Sequence, residues 1–111
     1  MKLLVFEQHD GWGDEEYPTF RKGTRVSELK ACTDDEMPHW FPCVIDRHDT
    51  FIPETFVIDG VLNRDYNPTE LVIKKGQILT LLELVFEWLY VKDSSGKEGW
   101  IPASKVVSVL Q

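Results

Sequence analysis

The residues best suited to metal or redox chemistry in this 111-residue chain are two cysteines and two histidines. Cys32, His39, Cys43 and His48 follow one another with the spacing C-x6-H-x3-C-x4-H. Structural zinc sites bring their ligands in close pairs, and this spacing matches none of the known zinc patterns. We therefore expect no metal and no cofactor. We expect both thiols to be reduced. The alternative is a disulfide between Cys32 and Cys43 across a hairpin, which a reducing compartment disfavours.

The sequence contains no recognisable motif of catalytic residues. The chain has no Gly-rich phosphate loop, no H-E-x-x-H pair and no nucleophile beside a base in a known motif. Its carboxylate clusters, at residues 14–16 and 34–36, fall in expected surface loops, which offer no apolar wall to raise a carboxyl pKa. We expect a protein that is not an enzyme.

Charge and hydropathy exclude two further classes of function. The net charge is −7, and residues 1–58 hold twelve acids against six bases, whereas residues 59–111 hold seven against six. Without a basic stripe, nucleic-acid binding is not expected. No apolar stretch is long enough to span a membrane, and the N-terminal residues do not form a secretory leader. The expectation is a cytoplasmic protein without membrane contact.

Short runs of β-branched and aromatic residues, separated by Gly, Pro, Asn and Asp, recur along the whole chain. No window repeats apolar residues at helical spacing, so the predicted class is all-β. Residues 17–29 read like residues 69–82, and each of these stretches precedes a Trp and then an Ile-Pro pair. The repeat predicts two domains, 1–58 and 59–111, with Asp59 and Gly60 as a very short linker.

The order of these repeated features resembles the Src homology 3 (SH3) domain. The second half matches over nearly its whole length, through ELVIKKG at 70–76, Trp88 and GKEGWIP at 96–102. The first half matches more loosely, through FRKG at 20–23, WF at 40–41 and IPETFV at 52–57. The resemblance implies two small SH3-like β-barrels in tandem, and it suggests a small bacterial protein.

SH3 domains hold a proline-rich segment between aromatic side chains, and an acidic loop pairs with a Lys or Arg of the ligand. Carried onto this chain, the resemblance gives a set of peptide-binding residues: Trp12, Tyr17, Trp40, Pro53, Phe56, Tyr66, Trp88 and Pro102. The acidic specificity loop would be Asp10, Asp14, Glu15 and Glu16. The first domain is the better equipped, because the groove Tyr of the second is replaced by Lys105. Alternatively, the tryptophans only cap the two cores.

Three apolar residues, Leu84, Val85 and Phe86, stand where SH3 domains have a polar loop. Exposed apolar patches usually serve an interface, so we expect Phe86 and at least one of Leu84 and Val85 to be covered by the first domain, by a second copy of the chain or by a partner. The leading hypothesis is a module that binds a protein partner or a peptide segment that is basic or contains proline. The alternatives are a cell-wall or glycan binder of the bacterial SH3 type and an architectural docking domain without a groove. The sequence leaves the oligomeric state open.

Overall fold

The structure is a computed structural model that describes residues 1–10, 16–30 and 39–109. The described residues form only strands, turns and two single-turn 3-10 helices, Glu54–Phe56 and Ala103–Lys105, so the all-β prediction is confirmed. The strands are β1 (Lys2–Val5), β2 (Val26–Ser27), β3 (Trp40–Ile45), β4 (His48–Pro53), β5 (Val57–Ile58), β6 (Val61–Leu62), β7 (Ile78–Val85), β8 (Trp88–Lys92), β9 (Glu98–Pro102) and β10 (Val106–Val109).

The chain divides into two compact units. Unit 1 combines Met1–Glu16 with Thr69–Gln111, and unit 2 is Tyr17–Pro68. Unit 1 contains one antiparallel sheet in the order β10-β1-β7-β8-β9. Unit 2 contains the sheet β2-β3-β4 and the hairpin β5-β6. The pairings among the described residues leave these sheets open, so the expected pair of closed barrels is not found.

The core of unit 1 follows from the alternation of side chains along its strands. In β1, Leu3 and Val5 point into the core, whereas Lys2 points to the opposite face and its Nζ donates to Thr80 Oγ1 at 2.7 Å. Burial of each such aliphatic side chain contributes about 1.5–3 kcal/mol. The buried cluster consists of Leu3, Val5, Leu71, Ile73, Leu79, Leu89, Val91, Ile101 and Val106.

One backbone hydrogen-bonding pattern occurs in both units. In unit 1, the Gly76 amide donates to the Val5 carbonyl at 2.8 Å, and in unit 2 the Gly23 amide donates to the Leu62 carbonyl at 2.8 Å. The amides of Val5 and Leu62 donate in turn to the residue that follows each glycine. β6 therefore occupies in unit 2 the position that β1 occupies in unit 1.

This correspondence corrects the predicted domain boundaries. β1 was expected in the first domain, but it pairs with β7 and β10 in the C-terminal part of the chain. The predicted linker, Asp59 and Gly60, is the two-residue turn that joins the paired strands β5 and β6 inside unit 2. Both turn residues have a positive φ, 53° and 79°, as a type I′ hairpin turn requires. A strand's own sequence predicts that it is a strand but does not specify the sheet that it joins.

Candidate functional site

The aromatic residues predicted to form the first groove lie together in unit 2. Trp40 at the start of β3 is paired in register with Pro53 at the end of β4, and Phe56 follows in the 3-10 helix. All three side chains are buried, with Trp40 and Phe56 each only 3% exposed. The structure thus places these residues in the hydrophobic interior of unit 2, as the core-cap alternative predicts for Trp40.

Further contacts cover this aromatic cluster. The Tyr66 ring meets Phe56 edge-on, with ring centres 5.4 Å apart, and the Tyr66 hydroxyl donates to the Phe51 carbonyl at 2.7 Å. The Arg64 guanidinium lies 4.1 Å from the centre of the Phe56 ring, within the range of a cation–π interaction. Tyr66 and Arg64 thus both lie against the Phe56 ring.

Tyr17 packs elsewhere in unit 2. Its ring contacts His48 with 5.9 Å between ring centres, and its hydroxyl donates to the Asp49 carbonyl at 3.0 Å. Phe20 contacts the same His48 ring at 5.5 Å. Tyr17 is half-buried at this position.

In unit 1, Trp88 and Pro102 are paired in register at the ends of β8 and β9. Trp88 is 6% exposed and Pro102 is half-buried. The His9 ring meets Trp88 edge-on at 5.9 Å, and His9 Nε2 lies 3.0 Å from Glu70 Oε1. The His9 and Ile73 backbones bond to each other in both directions, which fixes His9 against the Trp88 side of the unit.

The neighbouring surface of unit 1 is more open. The Phe6 side chain is 46% exposed, and its amide donates to the Lys105 carbonyl at 3.0 Å. The Lys105 ammonium lies 3.1 Å from a Glu7 carboxylate oxygen. Lys105 ends a 3-10 helix as Phe56 does in unit 2, so unit 1 carries a paired Lys where unit 2 carries a buried aromatic ring.

The described part of the acidic loop belongs to unit 1, although the sequence associated it with the first groove. Asp10 accepts hydrogen bonds from the Gln8 side chain at 2.8 and 3.0 Å, and Glu16 forms an ion pair with Lys97 at 3.0 Å. Trp12, Asp14 and Glu15 lie outside the described residues. The acids Asp10 and Glu16 therefore share a unit with Trp88 and Pro102, whereas Trp40, Pro53 and Phe56 belong to the other unit.

The apolar residues at positions 84–86 differ from one another in exposure. Leu84 is 64% exposed, Val85 is buried, and Phe86 is half-buried. Phe86 and Glu87 form the two-residue turn between β7 and β8, with positive φ values of 46° and 70°. Part of the segment is thus covered within the chain, and the Leu84 side chain is left at the surface.

Sequence reasoning missed His9, whose ring contacts Trp88, and Glu70, which bonds to His9. A signal for His9 was present, since it follows the buried Val5 by four residues, as Tyr66 follows the buried Leu62. Both positions bridge to the strand that precedes a Lys-Gly turn, at Ile73 and Phe20 respectively. The equivalence of His9 and Tyr66 follows from the correspondence of β1 and β6, which only the structure shows.

The residues considered for metal and thiol chemistry show no such site in the described ranges. Cys43 in β3 is a free, buried cysteine, and desolvation raises the pKa of its thiol to about 12, so the reactive thiolate is disfavoured. Cys32 lies outside the described residues. Among the residues described, no group of three or more His, Cys, Asp or Glu side chains is placed to hold a metal ion. None of the helices in the described ranges has the length and apolar character needed to cross a membrane.

Comparison with known proteins identifies one family. A family model of the SH3 domain matches residues 64–103, which include the turn before β7, Trp88 and Pro102. The match supports an SH3 domain in this part of the chain, and SH3 domains are generally non-catalytic modules that bind proteins, commonly through proline-rich peptides. No curated protein matches the chain, and no solved structure does either.

Proposed function

We propose that the protein is a non-catalytic interaction module and that unit 1 binds a peptide segment of a protein partner carrying Lys or Arg. One observation carries this proposal: Asp10 and Glu16 belong to the same unit as Trp88 and Pro102, which lie within the SH3 match. An acidic loop beside a Trp and a Pro is the combination with which SH3 domains recognise basic proline-containing ligands.

The accessible part of this surface favours a shallow binding mode. Trp88 is largely covered by its surroundings, whereas Phe6 and Pro102 remain accessible to a ligand. A proline or aliphatic ligand side chain would rest on these two residues, and a basic one would face the exposed carboxylates of Glu7, Asp10 and Glu16. Ion pairs at such exposed positions are worth about 0.2–1 kcal/mol each and weaken with salt. The expected affinity is therefore modest.

We infer that unit 2 supports the module and does not offer its aromatic cluster to a ligand. Its Trp40, Pro53 and Phe56 side chains are buried, and Arg64 covers the Phe56 ring. This revises the expectation that the first half of the chain carries the groove. The hydrogen-bonding pattern shared by the two units favours an origin from a duplicated SH3-type repeat.

The first prediction is that neutralising the unit 1 acids weakens binding of a basic peptide. The double variant Asp10→Asn/Glu16→Gln should bind a proline-containing peptide with two arginines several-fold less tightly, because about 1.4 kcal/mol corresponds to a factor of ten. The measurement is an NMR titration at low and at physiological salt, in which resonances of Phe6, Trp88 and Pro102 should shift.

The matched control is Asp46→Asn/Asp49→Asn, which removes the same charge from two exposed positions of unit 2. This control should bind like the wild type. Equal weakening of peptide binding in both variants would mean that the loss of affinity comes from the change in net charge alone. Shifts confined to Phe56 and Tyr66 would move the site to unit 2 and refute the proposal.

A further inference from the structure

Two strands occupy corresponding positions in the two units, but the chain holds them differently. β6 is joined to its neighbour β5 by Asp59 and Gly60, and Asp-Gly is a favoured type I′ turn, so β6 is tied to unit 2. β1 has no such connection to unit 1. Between β1 and the remaining strands of its own sheet, the chain passes through the whole of unit 2.

Without β1, the sheet of unit 1 would have an open channel between β7 and β10. β1 pairs with β10 along Lys2 to Val5 and with β7 along Lys2 to Leu4, so among the described strands it alone connects these two. It also contributes two core side chains, Leu3 and Val5, which are 4% and 1% exposed. An unoccupied channel would expose two strand edges and part of the core, and unpaired strand edges are sites of association with other chains.

We propose that this channel between β7 and β10 also binds β1 of a second copy of the chain, which gives a strand-exchanged dimer. The second copy carries an identical strand, so it can form the same hydrogen bonds and fill the same core, and only the chain connection differs. Exchange of an identical element between protomers is a low-cost route to dimers. β6 is excluded as the occupant because its hairpin turn retains it in unit 2.

The exchange has a consequence for the surface beside Trp88. His9 and Asp10 lie a few residues after β1 in the same part of unit 1, and His9 bonds to Ile73 and contacts Trp88. In the exchanged dimer these residues would come from the second copy. Each Trp88 surface would then be built from two chains.

The test uses cysteines at positions that face each other across β1 and β10. Leu4 and Val107 are register partners, Val107 is 49% exposed and Leu4 is half-buried, so cysteines are tolerated there. A tagged Leu4→Cys chain is mixed with an untagged Val107→Cys chain, both in a Cys32→Ser background that retains the buried Cys43. After incubation near the onset of unfolding and mild oxidation, a tagged–untagged disulfide should form, in an amount that rises with protein concentration.

The matched control replaces Val107→Cys by Leu84→Cys, an exposed position on β7 whose register partner is Leu89 of β8. The Leu4–Val107 mixture should give at least several-fold more cross-linked heterodimer than this control. A double variant, Leu4→Cys/Val107→Cys, should lock the strand within one chain and abolish dimer formation. Equal cross-linking in both mixtures, or a wild type that sediments as a monomer at every concentration, would overturn the proposal.

Discussion

His9 and Tyr66 occupy corresponding backbone positions in the two units but have different surroundings. Each bridges to the strand before a Lys-Gly turn, yet Tyr66 is buried in unit 2 and bonds to the Phe51 carbonyl, whereas His9 bonds to Glu70 beside Trp88. A buried hydroxyl that satisfies a carbonyl contributes about 0.5–1.5 kcal/mol net, and its loss leaves that carbonyl one hydrogen bond short. The same backbone position therefore carries a buried tyrosine in unit 2 and a half-buried histidine in unit 1.

The second prediction compares two tyrosine hydroxyls of unit 2. Tyr66→Phe should lower the free energy of unfolding by about 1–2 kcal/mol, because Tyr66 is buried and its hydroxyl bonds to a part-buried carbonyl. Tyr17→Phe removes an exposed bond to the Asp49 carbonyl and should cost less than about 0.5 kcal/mol. Urea unfolding of both variants measures the difference. Equal losses would contradict the burial of the Tyr66 hydroxyl.

Asp93 organises the turn between β8 and β9. Its Oδ1 accepts hydrogen bonds from the Ser95 hydroxyl, the Ser95 amide and the Lys97 amide at 2.6, 2.9 and 3.0 Å. Desolvation raises the pKa of the Asp93 carboxyl, but these hydrogen bonds and the Lys97 charge outweigh it, so the net pKa is lowered. The ionised carboxylate therefore stabilises the folded turn.

The third prediction follows from the sign of this shift. A carboxyl with a lowered folded-state pKa contributes stability above its unfolded-state pKa of about 4 and loses it as the pH falls through the folded value. Asp93→Ala should therefore be about 1–2 kcal/mol less stable than the wild type near pH 7. The difference should shrink steadily below pH 4 in urea unfolding series. A stability difference that does not change with pH would mean that the effect comes from the turn backbone and not from the carboxylate charge.

At the scale of elements, three two-residue turns in the described ranges carry positive φ at both positions: Asp46 and Arg47, Asp59 and Gly60, and Phe86 and Glu87. Residues other than glycine lose about 1–2 kcal/mol in this left-handed region, with Asn and Asp affected least. The turn at Phe86 and Glu87 contains neither, yet its backbone is fixed by the register of β7 and β8 and by the Glu87 carbonyl, which accepts from the Ala103 amide at 2.9 Å. The β7–β8 turn therefore stores strain.

The fourth prediction is that relieving this strain stabilises unit 1. Glu87→Gly should raise the free energy of unfolding by about 0.5–1 kcal/mol, because glycine adopts the φ of 70° without a Cβ clash and keeps the backbone carbonyl bond. The control is Lys92→Gly in β8, an exposed position with ordinary strand geometry, which should be destabilising by a similar amount. Calorimetric melting of both variants measures the effects. Destabilisation by Glu87→Gly would mean that its side chain outweighs the strain.

At the scale of the whole molecule, the order of the strands in the chain and their order in the sheets differ. β1 lies in the sheet of unit 1, and the complete unit 2 is inserted between it and β7. Because the chain before unit 2 belongs to unit 1, residues 6–10 and Glu16 lie in the same unit as Trp88. The composition of the proposed binding surface therefore depends on the strand pairing as much as on the individual residues.

The fifth prediction tests that pairing. Deleting residues 1–8 should remove hydrogen-exchange protection from β10 and from the β7 amides that face β1, because both strands lose their shared neighbour while β7 keeps its pairing with β8. Amides of β2, β5 and β6 should stay protected, since their pairings lie within unit 2. The opposite result, with loss at Val26 and Val57, would indicate that β1 belongs to the first half of the chain after all.

The sequence by itself determined the all-β class and the Trp and Pro residues that pair at the ends of β3–β4 and β8–β9. These features depend on local residue patterns, namely alternating apolar residues, turn-forming pairs and a repeat of about fifty residues. The SH3 match at residues 64–103 was also readable from ELVIKKG at 70–76, Trp88 and Pro102.

Only the tertiary structure decided which strand completes which sheet, and with it which residues share a surface. β6 is placed by a local hairpin with β5, whereas the position of β1 depends on pairings with β7 and β10 that join residues far apart in the chain. The covering of Phe56 was decided in the same way, by contacts with Arg64 and Tyr66. A local pattern specifies the type of an element, whereas its neighbours are selected by the complementarity of the folded chain as a whole.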